Sequence, residues 1–95
     1  MTGPSAAAVP YADAGRVVLY SRAGCHLCAE ARAVVAATCA ELDVGWVEVD
    51  VDAPEHPELR DRFSEEVPVT FVDGRQHDFW RVDAGRLRRA LTGPG

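Results

Sequence analysis

The chain has 95 residues, of which 47% are hydrophobic and 26% are charged. These values are ordinary for one small globular domain, and they exclude a wholly disordered chain, a collagen-like chain and a disulfide-dense knot. The formal net charge of −5 disfavours a nucleic-acid-binding protein, because such proteins usually present a basic excess to phosphates.

The N-terminal segment 1–15 precedes the first regular pattern. It contains two prolines, two glycines and a run of alanines without an amphipathic period. We therefore predict a flexible tail over 1–15, one domain over 16–91 and a frayed C-terminus over 92–95. The segment lacks a basic residue and a continuous apolar core, so it does not make a secretory signal. We expect a cytoplasmic protein. Disulfides in the cytoplasm are rare and usually transient.

A strand and a long helix open the domain. The continuous apolar run 17–20 predicts a strand that is buried on both faces. Residues 21–24 interrupt it, and a helical period follows over 25–42. The apolar stripe of this helix consists of Leu27, Ala31, Val34, Val35, Thr38 and Leu42.

A second strand and a short helix come next. Segment 46–51 alternates between apolar and polar residues, which predicts a strand. Pro54 and Pro57 offer two alternative first positions for a helix. Leu59 and Phe63 would share the inner face of that helix.

A hairpin and a last helix complete the predicted elements. Segment 69–72 predicts a strand, and Asp73-Gly74 predicts a tight turn from which the chain returns to about residue 79. The last helix is expected to begin after Asp83 as N-cap, with a hydrophobic staple between Val82 and Leu87. Its inward residues would be Leu87, Ala90 and Leu91. The order β-α-β-α-β-β-α predicts an α/β fold with a mixed four-stranded sheet flanked by helices.

Two cysteines, Cys25 and Cys28, lie where the first strand meets the first helix. A thiolate at a helix N-terminus is stabilised by exposed N–H donors and by the positive end of the helix dipole. Cys25 would therefore be the exposed nucleophile, and Cys28, one turn further, could attack a mixed disulfide formed at Cys25. Gly24 allows the sharp turn into the helix.

Metal binding and inert structural thiols are the alternatives to redox chemistry at this pair. A zinc site needs two further ligands. The candidates are Cys39, His56 and His77, and none of them forms a second pair with ligand spacing. We expect Cys39 to be a packed free thiol and both histidines to be surface residues. A Cys-x-x-Cys pair that opens a helix after a buried strand therefore favours redox chemistry.

Segments 17–28 and 66–74 together resemble the glutaredoxin-like branch of the thioredoxin superfamily, in order and in spacing. The resemblance implies a thioredoxin-like, glutaredoxin-type fold with Pro68 in the cis form. It also implies that the backbone of Val67 lies beside the cysteine pair and pairs with an extended segment of the substrate. The implied activity is thiol–disulfide exchange with Cys25 and Cys28 as catalytic residues. A redox-sensing or metal-binding or iron–sulfur-binding module on the same fold, without turnover, is the alternative.

The sequence departs from dithiol glutaredoxins at three places. His26-Leu27 replaces the usual Pro-Tyr between the cysteines, and His26 would either tune the thiol electrostatically or simply be solvated. Arg22 replaces a lysine that meets the carboxylate of glutathione, and its bidentate fork suits the same role. Segment 78–80 replaces a Gly-Gly pair, so that bulky side chains would obstruct the glutathione groove and Asp78 would repel carboxylates. Trp80 would pack or would line that groove.

The expected partners follow from this chemistry. The substrate would be a disulfide-bearing protein or a small thiol compound, bound with the help of Arg22, His26, Val67 and Pro68. No metal or organic cofactor is required. The reductant would be glutathione or a flavin-dependent reductase of the thioredoxin-reductase type, and the sequence leaves these two open. We expect no nucleic-acid or membrane partner and a monomeric protein.

Overall fold

The computed structural model describes residues 9–12, 14–63 and 65–93, and of Phe79 it describes the backbone alone. The elements follow the predicted order. They are β1 (Val17–Ser21), α1 (His26–Leu42), β2 (Trp46–Asp50), α2 (Pro57–Phe63), β3 (Val69–Val72), β4 (Arg75–Phe79) and α3 (Ala84–Thr92). In these ranges no helix combines the length and the apolar character that a membrane crossing requires.

Strand β1 lies in the interior of a four-stranded sheet whose order is β2-β1-β3-β4. It pairs in parallel with β2 and antiparallel with β3, and β3 pairs antiparallel with β4. All residues of β1 and β3 are buried, which is why these strands do not alternate between apolar and polar residues. The edge strand β2 is half-buried or exposed. The predicted mixed sheet and its parallel β1-α1-β2 unit are confirmed.

One face of the sheet packs against α2 through an aromatic cluster. The ring centroid of Tyr20 lies 5.0 Å from that of Phe63 and 5.3 Å from that of Phe71. Leu59 belongs to the same cluster, so the predicted inner face of α2 is confirmed. The helix begins at Pro57, the second of the two predicted positions.

The other face packs against α1 and α3. Its cluster contains Val17 from β1, whose side chain points opposite to those of its neighbours in the strand, together with Val35, Cys39, Leu87 and Leu91. Cys39 is a buried free thiol, as predicted. Its burial raises the pKa of the thiol because a thiolate is poorly solvated there.

The buried face of α1 is rotated from the predicted stripe. Its buried residues are Cys28, Ala31, Val35, Thr38 and Cys39. Three residues of the predicted stripe, Leu27, Val34 and Leu42, are only half-buried. The rotation arises because α1 packs against both the sheet and α3. It brings Cys28 inside and leaves Leu27 and Val34 at the edge of a groove.

The hairpin and α3 agree with the sequence except at one residue. Asp73 and Gly74 have φ values of 52° and 84°, as a tight hairpin turn requires. The side chain of Asp83 accepts from the backbone N–H of Arg86 and caps α3. Leu87 and Leu91 are buried. Ala90 is exposed, and its predicted inward position is wrong because α3 packs along a narrow i, i+4 stripe.

The predicted tail is wrong for residues 9–12, which pack against the sheet. Val9 and Ala12 are buried in the aromatic cluster. The hydroxyl of Tyr20 donates to the carbonyl of Pro10 at 2.6 Å. A buried phenol needs such an acceptor, and this need ties the segment to β1. Residues 1–8 and 13 of the predicted tail and the C-terminal residues 94–95 lie outside the described residues.

Candidate active site

Four segments meet at one end of the sheet. Tyr20 near the end of β1 pairs with Val49 near the end of β2 and with Val69 at the start of β3. The residues that follow β1 and β2 therefore lie at the same end as those that precede β3. The chain after β4 arrives there too, because the backbone N–H of Trp80 donates to the carbonyl of Pro68 at 2.7 Å. The topology thus gathers the residues that the sequence singled out.

Cys25 is the N-cap of α1 and is partly exposed. Its backbone is extended, with φ −97° and ψ 117°, and its Sγ accepts from the backbone N–H of Cys28 at 3.2 Å. Gly24 before it has φ 75°, a conformation that side chains rarely adopt. The Cys25 sulfur therefore sits where helix donors and the helix dipole stabilise negative charge.

Cys28 lies three residues further and is fully buried. Burial, reinforced by its hydrogen bond with Cys25, raises the pKa of the Cys28 thiol to about 11. A nearby backbone group of Arg22 acts in the opposite direction with a smaller effect. Cys28 is therefore a protonated thiol at neutral pH, beside the capping sulfur of Cys25.

The Val67–Pro68 peptide bond is cis, and Pro68 is buried. Val67 is half-buried against the aromatic cluster. Its backbone N–H donates to the carbonyl of Phe63 at 3.2 Å. The resemblance implies that the backbone of Val67 pairs with a substrate segment. For its N–H to do so, the hydrogen bond to the carbonyl of Phe63 would have to break.

A shallow hollow of about 290 Å³ adjoins Cys25. Exposed His26 lies on its wall, and so do the guanidinium-bearing residues Arg22 and Arg32. Among the described residues, the lining contains no further arginine and no carboxylate. The structure thus brings the predicted residues Arg22 and His26 beside Cys25.

Both of these arginines are held by carboxylates. Arg22 donates from Nε and from a terminal nitrogen to the two oxygens of Asp52, at 2.9 and 3.3 Å. Arg32 donates to both oxygens of Glu48, at 2.8 and 2.6 Å. The hydroxyl of Ser21 also donates to Glu48 at 2.6 Å. The hydrogen bonds from Arg32 hold the pKa of Glu48 below its usual value.

The chain after β4 forms a second groove beside the cysteine pair. Trp80 is 51% exposed and lines this groove with Leu27, Val34 and Val82. Its indole N–H donates to the carbonyl of Glu65 at 2.9 Å, which fixes the ring as a wall. Trp80 thus lines a groove, and the binding of a substrate in this groove stays a prediction.

Asp78 and His77 differ from their predicted roles. The side chain of Asp78 is 14% exposed and pairs with Arg86 at 2.7 Å, so its expected repulsion of carboxylates is largely neutralised. His77 is 12% exposed in its side chain, and its predicted surface position is wrong because it packs next to Asp78. Its burial lowers its pKa. The predicted obstruction by Phe79 concerns a side chain outside the described residues.

Sequence reasoning did not single out Asp52, Glu48 or Arg32. In the part of the chain that the structure covers, no cluster of three or more His, Cys, Asp or Glu side chains is placed to hold a metal ion. A usable signal for Asp52 existed in the sequence. Because β2 is parallel to β1, an acid placed just after β2 must lie near the residues that follow β1.

Comparisons with known proteins assign the chain to a family. Residues 16–92 match the family described as Glutaredoxin-like domain (DUF836). An uncharacterized protein of Mycobacterium tuberculosis is 38% identical over 80 residues, which cover 81% of this chain and 82% of that protein.

Solved structures give the same fold. A structural-genomics target from X. campestris is 31% identical with a TM-score of 0.66, covering 83% of this chain and 99% of the other. The thioredoxin of Fasciola hepatica is 28% identical with a TM-score of 0.54, covering 80% and 76%. The holo form of glutaredoxin C1 from Populus tremula x tremuloides shares the fold at 17% identity and a TM-score of 0.53, covering 86% and 80%.

Proposed function

The chain belongs to the glutaredoxin-like domain family, and from that premise we propose that it is a thiol–disulfide oxidoreductase that reduces protein or small-molecule disulfides. Its thioredoxin-like fold supports a function of the thiol-oxidoreductase type. The proposal adds the reaction, its two catalytic residues and their order of action.

Cys25 performs the first step. Its thiolate attacks one sulfur of the substrate disulfide, the substrate S–S bond breaks, and the departing thiolate takes up a proton from solvent. A mixed disulfide between Cys25 and the substrate remains. The position of Cys25 supports this role, since its sulfur is partly exposed and accepts a helix N–H.

Cys28 performs the second step. Its sulfur attacks the sulfur of Cys25, the bond between Cys25 and the substrate breaks, and the proton of Cys28 passes to the departing substrate thiolate. The Cys25–Cys28 disulfide forms, and two electrons have passed to the substrate. The contrast between the two thiols is the observation that carries the proposal: one is accessible and capped, and the other is fully buried with its pKa raised to about 11.

The surroundings supply the substrate site. The groove beside Trp80 and the chain at Val67–Pro68 adjoin the same end of the sheet, where an extended segment of a disulfide-bearing protein would lie. Arg22 and His26 border the other side of Cys25. No metal or organic cofactor takes part in these steps.

The reductant that restores the dithiol is part of the proposal. The reductant is glutathione or a flavin-dependent reductase of the thioredoxin-reductase type. The protein acts as a monomer in the cytoplasm. Either reductant would deliver two electrons to the Cys25–Cys28 disulfide and return both thiols to the reduced state.

Turnover assays with three cysteine variants test the proposal. Reduction of a neutral small disulfide, coupled in parallel to glutathione and to a thioredoxin reductase, should stop in Cys25→Ser and persist in the matched control Cys39→Ser. Cys28→Ser should lose at least about tenfold in turnover with a protein disulfide, since nothing resolves the mixed disulfide. Unchanged turnover in Cys25→Ser would refute the mechanism. Metal in the purified chain without turnover would favour the binding-module alternative.

A further inference from the structure

Asp52 is placed to control the charge beside Cys25. Its two carboxylate oxygens accept from Nε and a terminal nitrogen of Arg22, the residue three positions before the nucleophile. The turn that carries Asp52 is itself fixed, because the backbone N–H of Asp52 donates to Oδ1 of Asp50 at 2.8 Å. The guanidinium fork of Arg22 is therefore already engaged by a carboxylate of the same chain.

The second cation of the hollow is engaged in the same way. Arg32 is held by both oxygens of Glu48. Arg22 and Arg32 are the charged residues on the hollow wall around Cys25, so a carboxylate entering the hollow would meet two guanidinium groups that already have acidic partners. It would find the Nε edge of each guanidinium already occupied, and it would also approach the negative charge of Asp52 or Glu48.

We propose that Asp52 is a specificity-determining residue that makes Cys25 discriminate against carboxylate-bearing small thiols and disulfides, glutathione included, and favour neutral or cationic ones. The inference rests on the proposed function and refines its substrate class. Asp52 does so by occupying the donors of Arg22 that an incoming carboxylate would otherwise use.

The size of the effect follows from the exposure of the pair. The side chains of Arg22 and Asp52 are 32% and 39% exposed, so solvent weakens their attraction. The bidentate geometry and the fixed turn that carries Asp52 favour Asp52 over a free ligand. Release of Arg22 should therefore change the selectivity of Cys25 by about fivefold, as expected for a partly exposed ion pair.

Alkylation of Cys25 by iodoacetate and by iodoacetamide tests this directly. Both reagents transfer the same methylene carbon to the thiolate and release iodide, but only iodoacetate carries a carboxylate. The ratio of the two rates cancels the fraction of Cys25 that is ionised. Fragment mass spectrometry of limited digests assigns each rate to Cys25. Asp52→Asn should raise the iodoacetate-to-iodoacetamide ratio about fivefold.

Two matched variants and one double variant serve as controls. Asp50→Asn removes a charge at the end of β2 and keeps the Oδ1 acceptor that fixes the turn of Asp52, so the Arg22–Asp52 pair should remain. Asp73→Asn releases Arg16 from an equivalent bidentate pair at the hairpin, at the opposite end of the sheet from Cys25. Neither should raise the ratio as far as Asp52→Asn. In the Arg22→Gln background, the further change Asp52→Asn should have little effect on the ratio, because the guanidinium that Asp52 engages is absent.

The outcomes separate this inference from the proposed function. The role of Asp52 would be overturned if Asp50→Asn raised the iodoacetate-to-iodoacetamide ratio as much as Asp52→Asn does. It would also be overturned if Asp52→Asn raised the ratio fully in the Arg22→Gln background. Either result would show a general charge effect. Exchange rates with dithiodipropionate, hydroxyethyl disulfide and cystamine then test the substrate class, and Asp52→Asn should speed only the first. If wild-type protein exchanges none of the three and also reduces no protein disulfide, the proposed function fails, while the alkylation ratio still decides the role of Asp52.

Discussion

The two cysteines of the pair differ in what surrounds their sulfur atoms. The sulfur of Cys25 caps a helix and is partly exposed, whereas Cys28 is fully buried. Burial penalises the charged form of a thiol and raises the pKa of Cys28, so a thiolate at the buried position is disfavoured. The order of attack in the proposed reaction follows from this difference in surroundings.

The raised pKa of Cys28 predicts a loss of stability at alkaline pH. Stabilisation from the buried neutral thiol is fully present below the pKa of an unfolded cysteine, about 8.5. It is lost as the pH rises through about 11, the pKa of Cys28 in the folded protein. Across this window the free energy of unfolding of wild-type protein should fall by on the order of 2 kcal/mol more than that of Cys28→Ala. Urea unfolding of both proteins at several pH values measures this loss.

Cys39 is the built-in control for that experiment. It is also buried with a raised pKa, and it is present in both proteins. If the two unfolding free energies fell in parallel from pH 8.5 upward, the pKa of Cys28 would not be raised by folding and the assignment of the protonated thiol would be wrong.

At the scale of elements, helix α1 links the core to the site. Its buried face runs from Cys28 through Val35 to Cys39, so the same packing that fixes the helix fixes the second cysteine. Leu27 and Val34 lie at the edge of this face and line the groove beside Trp80. One helix therefore divides its apolar residues between the core and the candidate substrate site.

A matched pair of truncations tests this orientation of α1. Val35 is fully buried and Val34 is half-buried, while both belong to the stripe that the sequence predicts. Val35→Ala should cost about 2 kcal/mol in the free energy of unfolding, from lost burial and the cavity left behind. Val34→Ala should cost less than about 1 kcal/mol. A reversed order in urea unfolding would show that α1 is rotated the other way.

At the scale of the whole molecule, local patterns determine the elements and the sheet determines the site. The strands, the Asp73-Gly74 turn and the Asp83 cap were predictable because each depends on neighbouring residues. The position of Cys25 and Cys28 at the junction of a strand and a helix singled out the pair, and the family resemblance added the cis form of Pro68. Asp52 was not predictable from local pattern, because its position beside Arg22 depends on the parallel register of β1 and β2.

Tertiary contacts also explain where sequence reasoning failed in the fold. Residues 9–12 have the composition of a loose tail, yet the buried hydroxyl of Tyr20 bonds to the carbonyl of Pro10. Ala90 belongs to the apolar period of α3, but the helix packs with a narrower face than that period indicates. In both cases a partner distant in sequence overrides a local preference.

The site of first attack tests the central claim most directly. Each single variant, Cys25→Ser and Cys28→Ser, is mixed with a disulfide-bearing protein substrate, quenched with acid and analysed by intact and fragment mass spectrometry. The account predicts that Cys28→Ser accumulates a mixed disulfide whose bond maps to Cys25, and that Cys25→Ser forms none at Cys28. A mixed disulfide at Cys28 in Cys25→Ser, formed as fast as the one at Cys25, would contradict the account.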